Sequence, residues 1–72
     1  MKITYNLADI AAQKEMSLSE VARRVQASKS YIWYIANNRV HPTLYMLALI
    51  AEALEVPVEA LYTQPHASNR QL

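Results

Sequence analysis

Apolar residues recur at the spacing of short helices along most of the chain, and the strongest start signal opens the second helix. Ser17 and Glu20 lie three residues apart. At this spacing the Ser17 hydroxyl can accept from the Glu20 N–H while the Glu20 side chain reaches back to the Ser17 N–H. Three apolar residues then form an inward stripe: Val21, Ala22 and Val25. This pattern predicts a helix of about two turns.

Four further helices are predicted from the same kinds of signal. Asn6, Ser28 and Thr43 are placed to cap three of them, and Pro57 suits the first position of the last. In chain order, the inward stripes of these helices are Leu7, Ile10 and Ala11; Ile32 and Ile35; Leu44, Leu47, Ile50, Ala51 and Leu54; and Val58, Leu61 and Tyr62.

These elements predict the fold class and the domain boundaries. No run of alternating residues is bounded by turn residues, so no strand is predicted. We expect an all-α domain, a compact bundle of five short helices over residues 1–62. A polar C-terminal tail follows over residues 63–72, where only Ala67 and Leu72 are apolar.

The composition excludes several classes of chemistry. The 72 residues include no glycine and no cysteine, although 53% of them are hydrophobic. The chain therefore has no glycine-rich phosphate loop, dinucleotide fingerprint or calcium loop, and no disulfide, thiolate zinc site or cysteine nucleophile. His41 and His66 have no acidic or histidine neighbours at ligand spacing. We expect no metal, no cofactor and no enzymatic activity.

The charges are unevenly distributed, although the net charge is only +1. No acidic residue lies between Glu20 and Glu52. The interval holds four basic residues, Arg23, Arg24, Lys29 and Arg39. This asymmetry is compatible with a polyanionic partner. No apolar run approaches 18 residues and no signal peptide is recognised, so we expect a soluble cytoplasmic protein without a membrane partner.

Two short helices joined by a tight turn, with a serine before the second, describe a helix-turn-helix. Residues 16–35 (MSLSEVARRVQASKSYIWYI) resemble the Cro/repressor (Xre-like) helix-turn-helix family. Residues 41–44 (HPTL) are similar to the start of that family's fourth helix, and residues 47–62 to its L…LAEALGV…LF ending. The resemblance covers residues 6–62 and implies the architecture of lambda-repressor-like DNA-binding domains.

The resemblance also implies a function. Members bind specific double-stranded DNA as small transcriptional regulators, typically repressors, with the second helix of the motif in the major groove. Here that helix is about residues 28–36. A homodimer on a pseudo-palindromic DNA site is expected, since a two-fold dimer presents two such helices.

The family's contact positions can be carried over residue by residue. Its base-reading positions are occupied here by Lys29, Ser30 and Tyr34, and its phosphate-contacting positions by Asn37 and Arg39. The phase of the buried isoleucines places Trp33 on the same exposed side. Lys29 can donate to guanine O6 and N7, and Trp33 and Tyr34 offer apolar contact to a thymine methyl. The N–H groups after Ser17, beginning at Leu18, are a candidate site for one phosphate.

An alternative function remains open because the chain departs from the family at several positions. Leu18 replaces a phosphate-contacting glutamine, and Ala11 replaces a basic residue. These changes favour a protein-interaction module of the same fold, such as an antitoxin or a partner-binding regulator with weak DNA binding. Its partner would contact Trp33, Tyr34 and the fourth helix. Lys29 and the acid-free interval favour DNA.

The fourth predicted helix carries apolar residues on its predicted solvent side. Tyr45, Leu49 and Ala53 are spaced four residues apart there. Several such residues on one exposed face indicate an interaction surface. We hypothesise a symmetric dimer contact, and the alternative is that the tail folds over this face through Leu72.

Three turn positions lack the glycine that is customary in the family: Gln26, Asn38 and Glu55. Asparagine tolerates the left-handed conformation best among non-glycine residues. Gln26 and Glu55 should therefore either adopt positive φ or mark turns that are built differently.

Overall fold

A computed structural model describes residues 3–64, which form four α-helices, one 3₁₀ turn and one pair of short strands. In chain order the elements are β1 (Thr4–Tyr5), α1 (Leu7–Gln13), α2 (Leu18–Val25), α3 (Lys29–Ala36), α4 (Leu44–Leu54), the 3₁₀ turn (Val58–Leu61) and β2 (Tyr62–Thr63). None of the helices within this part of the chain is long and apolar enough to cross a membrane.

The all-α helix-turn-helix class is confirmed, but the expected helix count is wrong: there are four α-helices, and the predicted fifth is a single 3₁₀ turn. The turn ends where Tyr62 becomes extended and pairs with Tyr5, while Thr63 pairs with Thr4. The antiparallel strands were not predicted, because each has only two residues and shows no alternation. Residues 65–72 of the predicted tail, including Leu72 and His66, lie outside the described residues.

Three of the helices begin as their sequences predict. Ser17, Ser28 and Thr43 are extended, and each hydroxyl accepts a hydrogen bond from the N–H three residues later. The distances are 3.1 Å for Ser17, 3.0 Å for Ser28 and 3.0 Å for Thr43. Such caps satisfy one of the N–H groups that the first turn of a helix leaves unpaired.

The predicted side-chain cap at Asn6 is wrong. Asn6 precedes α1, but its side chain does not bond the helix. Its Nδ2 donates instead to the Ala60 carbonyl at 3.3 Å and to Thr63 Oγ1 at 3.2 Å, and its backbone N–H donates to the Leu61 carbonyl at 2.8 Å. Asn6 therefore joins the two ends of the described chain.

All four helices end through a residue in the left-handed region, although none of these residues is glycine. Gln26, Asn38 and Glu55 have φ of 59°, 60° and 60°, so the turns that lack the customary glycine keep its left-handed conformation and are not built differently. Glu15, with φ of 57°, was not anticipated. In each case the next residue donates its N–H to the carbonyl five residues earlier, as when Ala27 bonds Ala22 at 3.0 Å. This bond is typical of the Schellman helix ending.

One continuous apolar core lies between the helices, and no polar or charged side chain is buried among residues 3–64. Its largest fully buried members are Leu7, Val21, Ile32, Ile35, Ile50, Leu54 and Leu61. One predicted inward residue is misplaced: Leu44 is 73% exposed. It is the first residue of α4, and the inward stripe begins one turn later, at Leu47.

Candidate nucleic-acid interface

The packing of α3 against α2 determines which of its side chains reach solvent. Ile32 and Ile35 are 0% and 1% exposed, so they define the buried side of α3. Tyr31 is half-buried on the flank and packs against the core. The remaining positions of α3 therefore form its outer surface.

The six side chains predicted to contact DNA are all exposed. Trp33 and Tyr34 are each 45% exposed, which is high for large aromatic residues. The other four exposed side chains are Lys29, Ser30, Asn37 and Arg39. The structure therefore places every predicted contact where a macromolecular ligand can reach it.

Four of these six residues converge on one open pocket of about 330 Å³ between the first turn of α2 and the start of α3. The pocket is lined by Leu18, Ser19, Lys29, Ser30, Trp33 and Tyr34. Asn37 and Arg39 lie beyond it, at the far end of α3 and in the following loop. Ser19 was not singled out from the sequence, because its position in the pocket depends on how α2 packs against α3.

The aromatic pair beside the pocket has a defined geometry. The ring centroids of Trp33 and Tyr34 are 5.4 Å apart and the ring planes lie at 75°, an edge-to-face arrangement. Such pairs are favourable beyond the area they bury. The two rings therefore hold each other in place on the surface of α3.

The predicted phosphate contacts are differently placed. The Asn37 Nδ2 already donates to the Trp33 carbonyl at 2.9 Å, so this amide also satisfies the end of α3. Arg39 forms no ion pair within residues 3–64, and its backbone N–H donates to the Tyr34 carbonyl at 2.8 Å. Its guanidinium is available for a phosphate.

The start of α2 provides the other predicted phosphate position. The Ser17 hydroxyl accepts from the Glu20 N–H, while Leu18 is half-buried and packs against the core. The Leu18 and Ser19 N–H groups come before the first full helical turn, so the helix itself supplies no acceptor for them.

The charge at the start of α2 is set by a cluster of three side chains. Instead of reaching back to the Ser17 N–H, the Glu20 carboxylate accepts from Arg23, and from Arg24 Nε at 2.8 Å. The hydrogen bonds from Arg23 and then Arg24 are the main reason that the pKa of Glu20 falls from 4.5 to about 2. The only acidic residue of α2 is therefore ionised at neutral pH and matched by two guanidiniums.

The predicted dimer residues on α4 differ in exposure. Tyr45 is 73% exposed, whereas Leu49 and Ala53 are half-buried and pack against the core. Leu44, which the sequence did not indicate for this surface, is as exposed as Tyr45 and lies beside a second pocket of about 240 Å³. The exposed apolar surface is therefore centred on the first turn of α4.

Within residues 3–64, no group of three or more metal-binding side chains is close enough together to hold a metal ion. His41 Nδ1 is instead 2.9 Å from the Tyr5 hydroxyl. The rings meet edge to face, with centroids 5.7 Å apart.

Comparisons with known proteins agree with this architecture. No curated protein is significantly similar to the chain in sequence. A solved structure described as "a putative DNA-binding protein from Bacteroides fragilis" is similar in fold, with a TM-score of 0.81 at 24% sequence identity. The match covers 85% of this chain and 98% of that one. A family model described as Helix-turn-helix matches residues 7–61. The chain therefore belongs to the helix-turn-helix family of the Cro/repressor type.

Proposed function

We propose that the protein is a sequence-specific double-stranded DNA-binding regulator of transcription, acting as a repressor, with α3 in the major groove. The observation that supports this most directly is that Lys29, Ser30, Trp33 and Tyr34 are all exposed around one pocket at the start of α3. In helix-turn-helix proteins the N-terminal part of this helix contacts the base edges.

The charge distribution supports a polyanionic ligand. Lys29 is the only charged residue lining the pocket, and Arg39 extends the positive surface past the end of α3. No acidic residue occurs from position 21 to position 51. Glu20, the acidic residue of α2, is paired with Arg23 and Arg24, so it repels a phosphate less than an unpaired carboxylate would.

The active species in this proposal is a homodimer on a pseudo-palindromic site. Tyr45 and Leu44 provide exposed apolar surface at the start of α4, and Leu49 and Ala53 continue it along the helix. A two-fold dimer would place its two α3 helices about 34–36 Å apart, one turn of DNA.

Selection from randomised duplex DNA, followed by a salt titration on the selected sequence, tests the proposal. We expect one enriched motif with two-fold symmetry. If each protomer neutralises about four phosphates, the slope of log affinity against log salt should be about −7, from roughly −0.9 per phosphate. Absence of any enriched motif would contradict the proposal.

A second candidate function is supported by the apolar side of the same pocket. Leu18, Trp33 and Tyr34 present a surface that could also hold a side chain of a partner protein, as in an antitoxin that grips its toxin. The selection separates the two functions. A DNA-binding regulator should enrich one motif and bind it with a steep salt dependence, whereas a protein-interaction module with weak DNA binding should enrich none.

A further inference from the structure

The pocket at the start of α3 contains an unusual set of chemical groups for reading bases. Leu18 contributes methyl groups and Trp33 and Tyr34 contribute ring surfaces, so much of the lining is apolar. Lys29 and the Trp33 indole can only donate hydrogen bonds. Within the described part of the chain, no carboxylate, carboxamide or imidazole lines the pocket, and the side-chain acceptors there are the hydroxyls of Ser19, Ser30 and Tyr34.

The spacing along α3 separates a polar end of the pocket from an aromatic end, because Lys29 and Ser30 lie in the first turn and Trp33 and Tyr34 lie one turn later. Lys29 and Trp33 are four residues apart on α3, as are Ser30 and Tyr34, so they form two neighbouring rows. Leu18 and Ser19 approach these rows from the first turn of α2. Lys29 therefore stands one helical turn before the indole, on the same row.

Each base presents a different edge in the major groove, and the groups that line this pocket match some edges better than others. Thymine offers the C5-methyl group and the O4 acceptor, and guanine offers the O6 and N7 acceptors. Cytosine presents an amino donor, which calls for a carboxylate, and adenine is best read by a carboxamide. Among residues 3–64 neither of those groups lines the pocket, and only hydroxyls could accept from an amino group, so thymine and guanine are the better matched bases.

We propose that the pocket between Leu18 and Trp33 receives the C5-methyl group of a thymine, while Lys29 donates to the guanine of a neighbouring base pair. This inference rests on the proposed DNA-binding function and specifies which bases the site reads. Leu18 stands where the family usually has a glutamine that contacts phosphate. In this proposal it becomes a residue that determines specificity.

The expected effect follows from the burial of one methyl group. Removing a buried methyl or methylene group costs about 0.8 kcal/mol, which is about fourfold in affinity. Replacing the contacted thymine by deoxyuridine removes the methyl group and leaves O4 in place. Affinity should therefore fall about fourfold at that position in each half-site, and little at thymines outside the pocket.

The experiment uses the duplex selected from a randomised library, together with copies in which single thymines are replaced by deoxyuridine. The wild-type protein is compared with Leu18→Gln and Trp33→Ala, and with Glu59→Ala as the control at an exposed position outside both the pocket and the proposed dimer surface. We expect the control to keep the fourfold preference for thymine over uracil. Each of the two pocket variants should bind the thymine duplex and the deoxyuridine duplex with nearly equal affinity.

Thermal unfolding identifies any variant that fails to fold. Trp33 is 45% exposed, so Trp33→Ala keeps the test informative even if Leu18→Gln is unstable. A parallel substitution of guanine by 7-deazaguanine, which removes N7, should weaken wild-type binding at one position and leave Lys29→Ala unaffected there.

Several outcomes would overturn the inference. If a motif is selected but every deoxyuridine substitution is neutral, the methyl contact is absent while the proposed function stands. If the preference for thymine survives in both pocket variants, the methyl group is read elsewhere. If no motif is selected, the proposed function and this inference fail together, and the pocket belongs to another kind of ligand.

Discussion

The Tyr5 hydroxyl and His41 Nδ1 lie 2.9 Å apart and join β1 to the loop after α3. Asn38, in the same loop, accepts from the Tyr5 N–H through Oδ1, and its Nδ2 donates to the Tyr5 carbonyl at 3.5 Å. Arg39 lies between these two anchored residues, so the position of its guanidinium depends on the pairing of the loop with β1.

A double-mutant cycle should detect the coupling between Tyr5 and His41. Tyr5→Phe and His41→Ala should each lower the free energy of unfolding. The loss in the double variant should be smaller than the sum of the two single losses. The difference should be about 0.5–1.5 kcal/mol, which is the net contribution of one hydrogen bond. Urea denaturation provides the measurement. Tyr62→Phe is the control, because the Tyr62 hydroxyl has no protein partner in the described part of the chain. An additive cycle would mean that the contact contributes nothing in solution.

Gln26→Gly should stabilise the protein. Gln26 ends α2 with φ of 59°, where a side chain costs roughly 1–2 kcal/mol that glycine avoids. The flexibility of glycine in the unfolded chain offsets about 0.4–1 kcal/mol of that gain. A net increase of up to about 1.6 kcal/mol in the free energy of unfolding is expected in chemical denaturation.

Ala12→Gly, at an exposed position inside α1, is the matched control for that substitution. It should lower stability by roughly 0.5–1 kcal/mol, because glycine is unfavourable within a helix. If both substitutions destabilise equally, the left-handed position of Gln26 carries no strain that glycine relieves.

The ion cluster on α2 should make stability depend on acidic pH. Arg23 and Arg24 lower the pKa of Glu20 from 4.5 to about 2 in the folded protein. The contribution of the Glu20 carboxylate to the free energy of unfolding is therefore complete above about pH 4.5 and is lost as the pH falls towards 2. The unfolding temperatures of the wild type and Glu20→Gln should differ only slightly at neutral pH, since exposed ion pairs contribute little. The two temperatures should converge as the pH approaches 2. Glu52→Gln, which removes a carboxylate without such an ion pair within residues 3–64, should not show this convergence.

The proposed base contacts and phosphate contacts should respond differently to substitution. Lys29→Ala and Tyr34→Ala should relax sequence preference, with a loss of about 1–3 kcal/mol on the selected site and less on unrelated DNA. Arg39→Ala should weaken binding to all sequences about equally and reduce the salt slope by roughly 1 per protomer. Fluorescence anisotropy on selected and scrambled duplexes measures both effects. If Lys29→Ala and Tyr34→Ala both bind the selected site like wild type, the assigned recognition surface is wrong.

The proposed dimer should depend on the start of α4. Tyr45→Asp places a charge on a side chain that is 73% exposed, so it should dissociate the dimer without unfolding the protomer. A charge at Leu49 would not separate the two effects, because Leu49 packs against the core and its substitution would also disturb the protomer. Sedimentation at micromolar concentration measures the oligomeric state. Ala12→Asp, which places the same charge on the exposed side of α1, is the control. A wild-type protein that sediments as a monomer would rule out this dimer.

Most of the local structure is determined by the sequence itself. Ser17, Ser28 and Thr43 cap their helices as predicted, because a cap involves only a hydroxyl and an N–H three residues away. The apolar spacing likewise predicted the buried sides of α2 and α3. For Gln26 and Glu55 the comparison with the glycines customary in the family left two outcomes, positive φ or a differently built turn, and the structure has positive φ at both.

The tertiary structure decided the features that join distant parts of the chain. The pairing of Tyr5 with Tyr62 and the use of Asn6 to join both ends have no local signal, since the partners are separated by more than fifty residues. The predicted fifth helix is a single turn because Tyr62, which was expected within it, is extended and pairs with Tyr5.

The candidate site divides in the same way. The sequence determined which residues of α3 face outward, because helical phase follows from the buried isoleucines alone. Only the packing of α2 against α3 decided that Leu18 and Ser19 would complete a pocket with Trp33. A pocket is a property of two surfaces at a particular distance, and neither helix encodes that distance by itself.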